Sequence, residues 1–180
     1  MSVAPVIHIG GWPGSGKRTI GRALADICAG RLIDNHIFLD AAYAVFDRGT
    51  ADCARLREEV RAVILGAALK LPSDVPVILT DALSNSEEDF ALFKPTLYFA
   101  RDRGAPICAV MLEIDEAENI ARLTQADRGG FKLAAPDVLT DLRKRLTLLQ
   151  PKDAFRLDVT CLTAKEAATR IAERFGLAHG

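Results

Sequence analysis

Val6-Ile7-His8-Ile9-Gly10-Gly11-Trp12-Pro13-Gly14-Ser15-Gly16-Lys17-Arg18-Thr19 is the stretch that decides the fold. A short apolar run rich in β-branched residues gives way to a glycine-rich turn ending in Gly16-Lys17, and Ile20 to Ala29 then reads as a helix. The order is strand, loop, helix. A backbone wraps a polyphosphate closely only where it turns sharply and carries no side chain, and Gly11, Gly14 and Gly16 supply that freedom. The loop's successive N–H groups, with the positive end of the helix behind them, would face the anion. Lys17 would extend over the loop towards its outer phosphates, and Thr19 offers a hydroxyl to a phosphate or to Mg²⁺. The residue after Lys17, usually Ser or Thr in such loops, is Arg18 here, so the hydroxyl comes one position later.

Outside this loop the chain sets limits. Its 180 residues, 49% of them hydrophobic, can bury one substantial core, and no repeat or low-complexity linker divides them, so a single domain over 1–180 is expected. With 23 basic and 24 acidic residues, nothing favours nucleic acid or an anionic membrane as a partner. Too few residues precede the loop for a signal peptide, and no apolar run is long enough to span a membrane, so a cytoplasmic protein is expected. Cys28, Cys53, Cys108 and Cys161 are far apart and read as buried small hydrophobes in a reducing compartment.

Gly-x-Pro-Gly-Ser-Gly-Lys-x-Thr, as spelled by Gly11 to Thr19, resembles the phosphate loop of adenylate kinases and their small nucleoside and metabolite kinase relatives. Later stretches look more like the shikimate kinase, gluconate kinase and chloramphenicol phosphotransferase branch. The resemblance implies a three-layer α/β/α P-loop fold, a five-stranded parallel sheet and a helical lid, with ATP and Mg²⁺ as cofactors and a small-molecule acceptor.

Arg31-Leu32-Ile33-Asp34 reads as a short strand whose terminal acid should emerge beside the phosphate loop, where open α/β sheets hold their ligands. Leu32 to His36 occupies the place where shikimate kinases carry two aspartates separated by one residue; Asp34 matches the first and His36 stands at the second. By that resemblance Asp34 is a base or an Mg²⁺ contact and His36 touches the acceptor; Asp34 also reads as an N-cap of the following helix. A His at the second position argues against shikimate itself.

Apolar spacing from Asp40 to Leu71 predicts two helices joined at Asp47 to Thr50, and in the resembled kinases the region of about 36–71 forms the acceptor lobe. Arg55 with Glu58 loosely resembles an Arg-x-x-Glu element that holds anionic acceptors, although a solvated face with helix ion pairs fits the spacing better. Pro76 to Asp81 predicts a central strand; Asp81 at its end is a candidate Mg²⁺ contact or a capping residue. Ser84, three residues before Glu87, reads as the cap of a helix reaching about Arg103, and Pro106 to Leu112 as the next strand.

Asn119 to Lys132, helix followed by a basic glycine-containing segment, looks like the lid of gluconate kinases, placed at about 122–136. Arg128 is its expected catalytic cation, with Arg122 on the nucleotide and Lys132 a further basic group. Leu157 to Val159 predicts the last strand and Thr163 to Phe175 a closing helix, capped by Thr163 with Glu166. The expected activity is transfer of the γ-phosphoryl group of ATP to a hydroxyl. A nucleotide-binding switch and a nucleoside monophosphate kinase remain as alternatives, and the acceptor and the number of subunits stay open.

Overall fold

The computed structural model describes residues 3–124 and 135–177. Strand β1 (Val6–Gly11) leads through the glycine turn into α1 (Lys17–Ile27), then β2 (Arg31–Asp34), α2 (His36–Tyr43), α3 (Ala51–Ala68) and β3 (Val77–Asp81). The chain continues through α4 (Glu87–Asp102), β4 (Ile107–Glu113), α5 (Glu116–Thr124), α6 (Pro136–Arg145), β5 (Phe155–Asp158) and α7 (Ala164–Phe175). The five strands form one sheet in the order β2-β3-β1-β4-β5, and every adjacent pair is parallel.

A parallel strand in the middle of such a sheet is covered on both faces, which is why β1 and β3 open on apolar residues and are wholly buried. Side chains alternate between the faces. Ile7 and Ile9 of β1, with Ile78, Val110, Leu112 and Leu157, pack against Ile20 and Leu24 of α1 and Ile171 of α7. Val6, Ile33, Val77 and Leu79 point the other way, onto Phe38 of α2, Leu65 of α3 and Phe99 of α4. Both layers that the sequence implied are present.

The differences are local. Helix α1 begins at Lys17, ahead of the expected Ile20, because Gly16 in the left-handed region (φ 93°) is its N-cap. Helix α4 is capped by Ser86, whose hydroxyl accepts from Asp89 N; the expected cap, Ser84, instead gives its hydroxyl to the Asp89 carboxylate at 2.5 Å. Thr163 and Glu166 form the expected capping box on α7. Cys28 and Cys53 are buried as expected, but Cys108 is partly exposed and Cys161 lies at the surface; all are free thiols. Burial pushes the Cys28 and Cys108 thiols up from their ordinary pKa. Among the described residues no helix is long and apolar enough to cross a membrane.

Arg103, the C-cap of α4, ties that helix to the end of α3 and the turn into β3. Its guanidinium donates to the carbonyls of Ala68, Leu71, Pro72 and Val75, at 3.3, 3.2, 2.6 and 2.8 Å, which are the end of α3 and the turn into β3. Truncation strands partly buried acceptors, so Arg103→Ala should cost about 2 kcal/mol of stability. For a chain of this size that is a fall of about 4–8 °C in melting temperature, readable by calorimetry.

Candidate functional site

The glycine turn after β1 sits at the C-terminal edge of the sheet. Gly14 (φ 90°) and Gly16 (φ 93°) adopt backbone angles that other residues resist. At Gly14 there is also no room, since a Cβ would lie 2.7 Å from Asn119 Nδ2. The first turn of α1 carries no acidic residue and no side-chain cap, so its N–H groups are left to an incoming anion. Ser15 Oγ is buried without a hydrogen-bond partner, a second donor awaiting an acceptor. Lys17 Nζ folds back onto its own loop, donating to Gly11 O at 2.7 Å and Trp12 O at 2.8 Å. Phosphate oxygens fit this donor set.

Arg18 and Thr19 lie exposed on the first turn of α1. Arg18 Nε stands 3.3 Å from Asp34 Oδ2, so the unusual residue after Lys17 reaches the acid at the end of β2. Thr80 Oγ1 donates to Asp34 Oδ1 at 2.7 Å and accepts from Asn35 N at 3.3 Å. Asp34 is therefore held by its sheet neighbour and does not cap α2; the N-cap position belongs to Asn35, without a side-chain cap bond. Oδ2 of this buried carboxylate carries no hydrogen bond.

Asp81 belongs to the opposite face of the sheet. Its Oδ2 meets His8 Nε2 at 2.7 Å, and the His8 ring packs edge-on to Phe93, centroids 4.7 Å apart. With the proton on Nε2, His8 donates to Asp81, and Nδ1 is buried without a partner. Arg61 completes this layer: it is buried, donates to Leu92 O at 2.7 Å and stacks 5.4 Å from the Phe38 ring centroid. Burial lowers the pKa of Arg61, and the charges of Glu58 and Asp81 oppose that shift. Of the two candidate acids, Asp34 is the one on the side of α1 and the glycine turn that precedes it. One oxygen of Asp81, the residue expected at Mg²⁺, is already engaged by His8.

His36 opens α2, with Nδ1 3.5 Å from Asp40 Oδ1. Arg55 lies in solvent between Asp52 and Glu59, at 2.5 and 3.9 Å. Arg55 thus sits on a solvated face with ion pairs along its own helix, the reading its spacing fitted better, while Glu58 takes Arg57 at 3.0 Å and lies 3.8 Å from Arg61, because the helical turn sets these three inward of Arg55. Arg122 is held by Glu118 at 2.6 Å and donates to Val159 O and Thr160 O at 2.8 and 3.0 Å. It nevertheless comes within 3.9 Å of where a Cβ on Gly16 would stand, so it borders the loop. Arg128 and Lys132 lie outside the described residues.

Three contributors were not read from the sequence: Thr80, which orients Asp34; His8, which holds Asp81; and Asn119, fully buried in α5, whose Nδ2 donates to Pro13 O at 2.9 Å. A polar residue inside an apolar strand or on the apolar stripe of a helix was the available signal. No three acidic, His or Cys residues among those described gather into a metal cage.

No protein-family model matches the sequence, and no curated protein is similar to it. Solved structures do match over nearly the whole chain. The tunicamycin resistance protein of Deinococcus radiodurans is 18% identical with a TM-score of 0.62, covering 97% of this chain and 97% of its own. A shikimate kinase from Acinetobacter baumannii, solved with shikimate, is 21% identical with a TM-score of 0.60, over 95% and 92%. A gluconokinase from Sinorhizobium meliloti 1021 is 16% identical with a TM-score of 0.57, over 98% and 96%. The parallel sheet with strand order β2-β3-β1-β4-β5, its glycine loop and its two helical layers are thus the fold of the P-loop small-molecule kinases.

Proposed function

We propose that the protein is an ATP-dependent kinase that moves the γ-phosphoryl group of ATP to a hydroxyl of a small molecule. The observation that carries this reading is the approach of a buried carboxylate to an anion cradle: Asp34, with one oxygen outside any hydrogen bond, lies 3.3 Å from Arg18 on the first turn of α1. A loop that only held a nucleotide would have no use for that carboxylate, which tells against a nucleotide switch. The kinases among the structural neighbours, including an APS kinase of Mycobacterium tuberculosis solved with AMPPNP and APS, support the same reading.

In the proposed reaction the loop from Gly11 to Thr19 binds the β- and γ-phosphates, and Lys17 leaves the Gly11 and Trp12 carbonyls for the phosphate oxygens. Asp34 Oδ2 takes the proton of the acceptor hydroxyl while its oxygen bonds to the γ-phosphorus; the bond to the β–γ bridging oxygen breaks, and ADP leaves. Thr80 keeps Asp34 oriented throughout. Mg²⁺, with Thr19 and Asp81 as candidate protein contacts, would neutralise phosphate charge. Arg122, and Arg128 from the 125–134 segment, would add positive charge to the transferring group, and of the two acceptor contacts suggested by resemblance, His36 and Arg55, His36 is the one this reading keeps.

Two features favour a polyol, sugar or other hydroxylated acceptor over a nucleoside monophosphate: Arg55 is turned to solvent, and Arg61 is committed to Leu92 O and the Phe38 ring. The test is ATP consumption at fixed Mg²⁺ across sugars, polyols, hydroxy acids, phenicols, aminoglycosides and nucleoside monophosphates. Stimulation by one hydroxylated acceptor, with its phosphorylated product identified by mass, is the expected result. Stimulation by nucleoside monophosphates alone would establish the other kinase class, and slow hydrolysis indifferent to every acceptor would favour the switch.

A further inference from the structure

We propose that Arg143 is a positioning residue for the nucleotide phosphates, setting the shape of the phosphate loop through Asn119 and Trp12. The inference rests on the reading of Gly11 to Thr19 as a nucleotide loop, but not on the identity of any acceptor.

Within the loop, the tip from Trp12 to Ser15 is held at one carbonyl, Trp12 O, which accepts from Ser15 N at 3.1 Å and from Lys17 Nζ at 2.8 Å. Pro13 has no N–H, and its carbonyl accepts from Asn119 Nδ2 at 2.9 Å. Asn119 is fully buried, so its amide must be satisfied at both ends. Its Oδ1 accepts from Arg143 Nη1 at 3.0 Å. The other arm of the same guanidinium, Nη2, donates to Ile114 O at 3.1 Å, between β4 and α5. The guanidinium carbon also stands 5.3 Å from the Trp12 ring centroid, within cation–π range.

One planar group on α6 thus grips the loop tip in two ways, through the Asn119 amide to Pro13 and directly on the face of Trp12. Helix α5 is pressed onto the loop at the same place, where Gly14 leaves space for Asn119 and for the Leu123 side chain, 3.3 Å from a Cβ built there. The loop's N–H groups converge on a phosphate only if its tip keeps this position. Lysine cannot replace Arg143, because it has one charged point and no fork to span Asn119 and Ile114.

Trp12 is the only tryptophan of the chain, so its fluorescence reports on the contact itself. ADP would be titrated into wild type, Arg143→Ala, Arg143→Lys and the control Arg145→Ala, a solvent-exposed neighbour paired with Asp141 on the same helix. Kd would come from calorimetry, with Trp12 emission and the melting temperature read in parallel. Expected is an ADP Kd raised about tenfold in Arg143→Ala, with altered Trp12 emission before ligand is added. Arg143→Lys should be weakened by at least about threefold, and Arg145→Ala should match wild type. In turnover, KM for ATP should rise while kcat at saturation holds. Wild-type ADP affinity in Arg143→Ala, or full function in Arg143→Lys, would overturn the inference, as would a loss matched in Arg145→Ala. Failure of the wild type to bind ADP would instead remove the nucleotide reading, and this inference with it.

Discussion

Lys17→Ala should abolish measurable phosphoryl transfer, lowering turnover by about 10²–10³-fold or more while leaving the fold intact. The side chain is partly buried, and in the ligand-free protein its ammonium only closes the loop on itself through Gly11 O and Trp12 O. Alanine would leave those carbonyls to water. What is lost is the loop's own cation, which would follow charge as it moves between the β- and γ-phosphates. A coupled assay for ADP release should show the loss, and circular dichroism should show an unchanged helix content. An unchanged rate would remove Lys17, and with it the kinase reading, from the loop.

Asp34→Asn should be nearly as damaging to the rate, by about 10²–10⁴-fold, for a different reason. Asparagine keeps an oxygen for the Thr80 hydroxyl, so the β2 end stays in place and ATP should bind as before. Only the capacity to take a proton disappears. Binding separates this from a packing defect: the ATP Kd and the melting temperature of the variant should match wild type while kcat falls. If kcat holds in the variant, the base is another group, and Asp81 with His8 becomes the pair to test.

The fold was legible because its rules are local. Glycine spacing and a following Lys write a phosphate loop into a dozen residues, and the apolar runs ending at Asp34, Asp81 and Leu112 read directly as parallel strands. The cap of α4 shows the limit of that reading. Ser84 stands three residues before Glu87 and Ser86 three before Asp89, and only tertiary packing chose the second. The site was legible at the loop and at Asp34, and much less so elsewhere. His8 and Asp81 are 73 residues apart in the chain, Asn119 and Pro13 are 106, and Arg143 meets Trp12 only after five strands have been arranged. An arginine in a charged helix gives no sign in sequence of whether it will pair along its own helix, as Arg55 does, or cross to another element, as Arg61, Arg103 and Arg143 do.

The strand order has a consequence for how the molecule assembles. Strands β2 and β3 are neighbours in chain and sheet, and so are β4 and β5, so each pair can form as a separate crossover unit. Strand β1, though synthesised first, finds both its partners late, at Val77–Asp81 and Ile107–Glu113. It joins the two units by filling the seam between them, and closing such distant pairings is the slow part of folding. The loop that would grip the nucleotide springs from the end of that seam strand. A ligand bound there holds together the two halves of the sheet, so refolding should be completed, and unfolding resisted, most strongly in the presence of nucleotide.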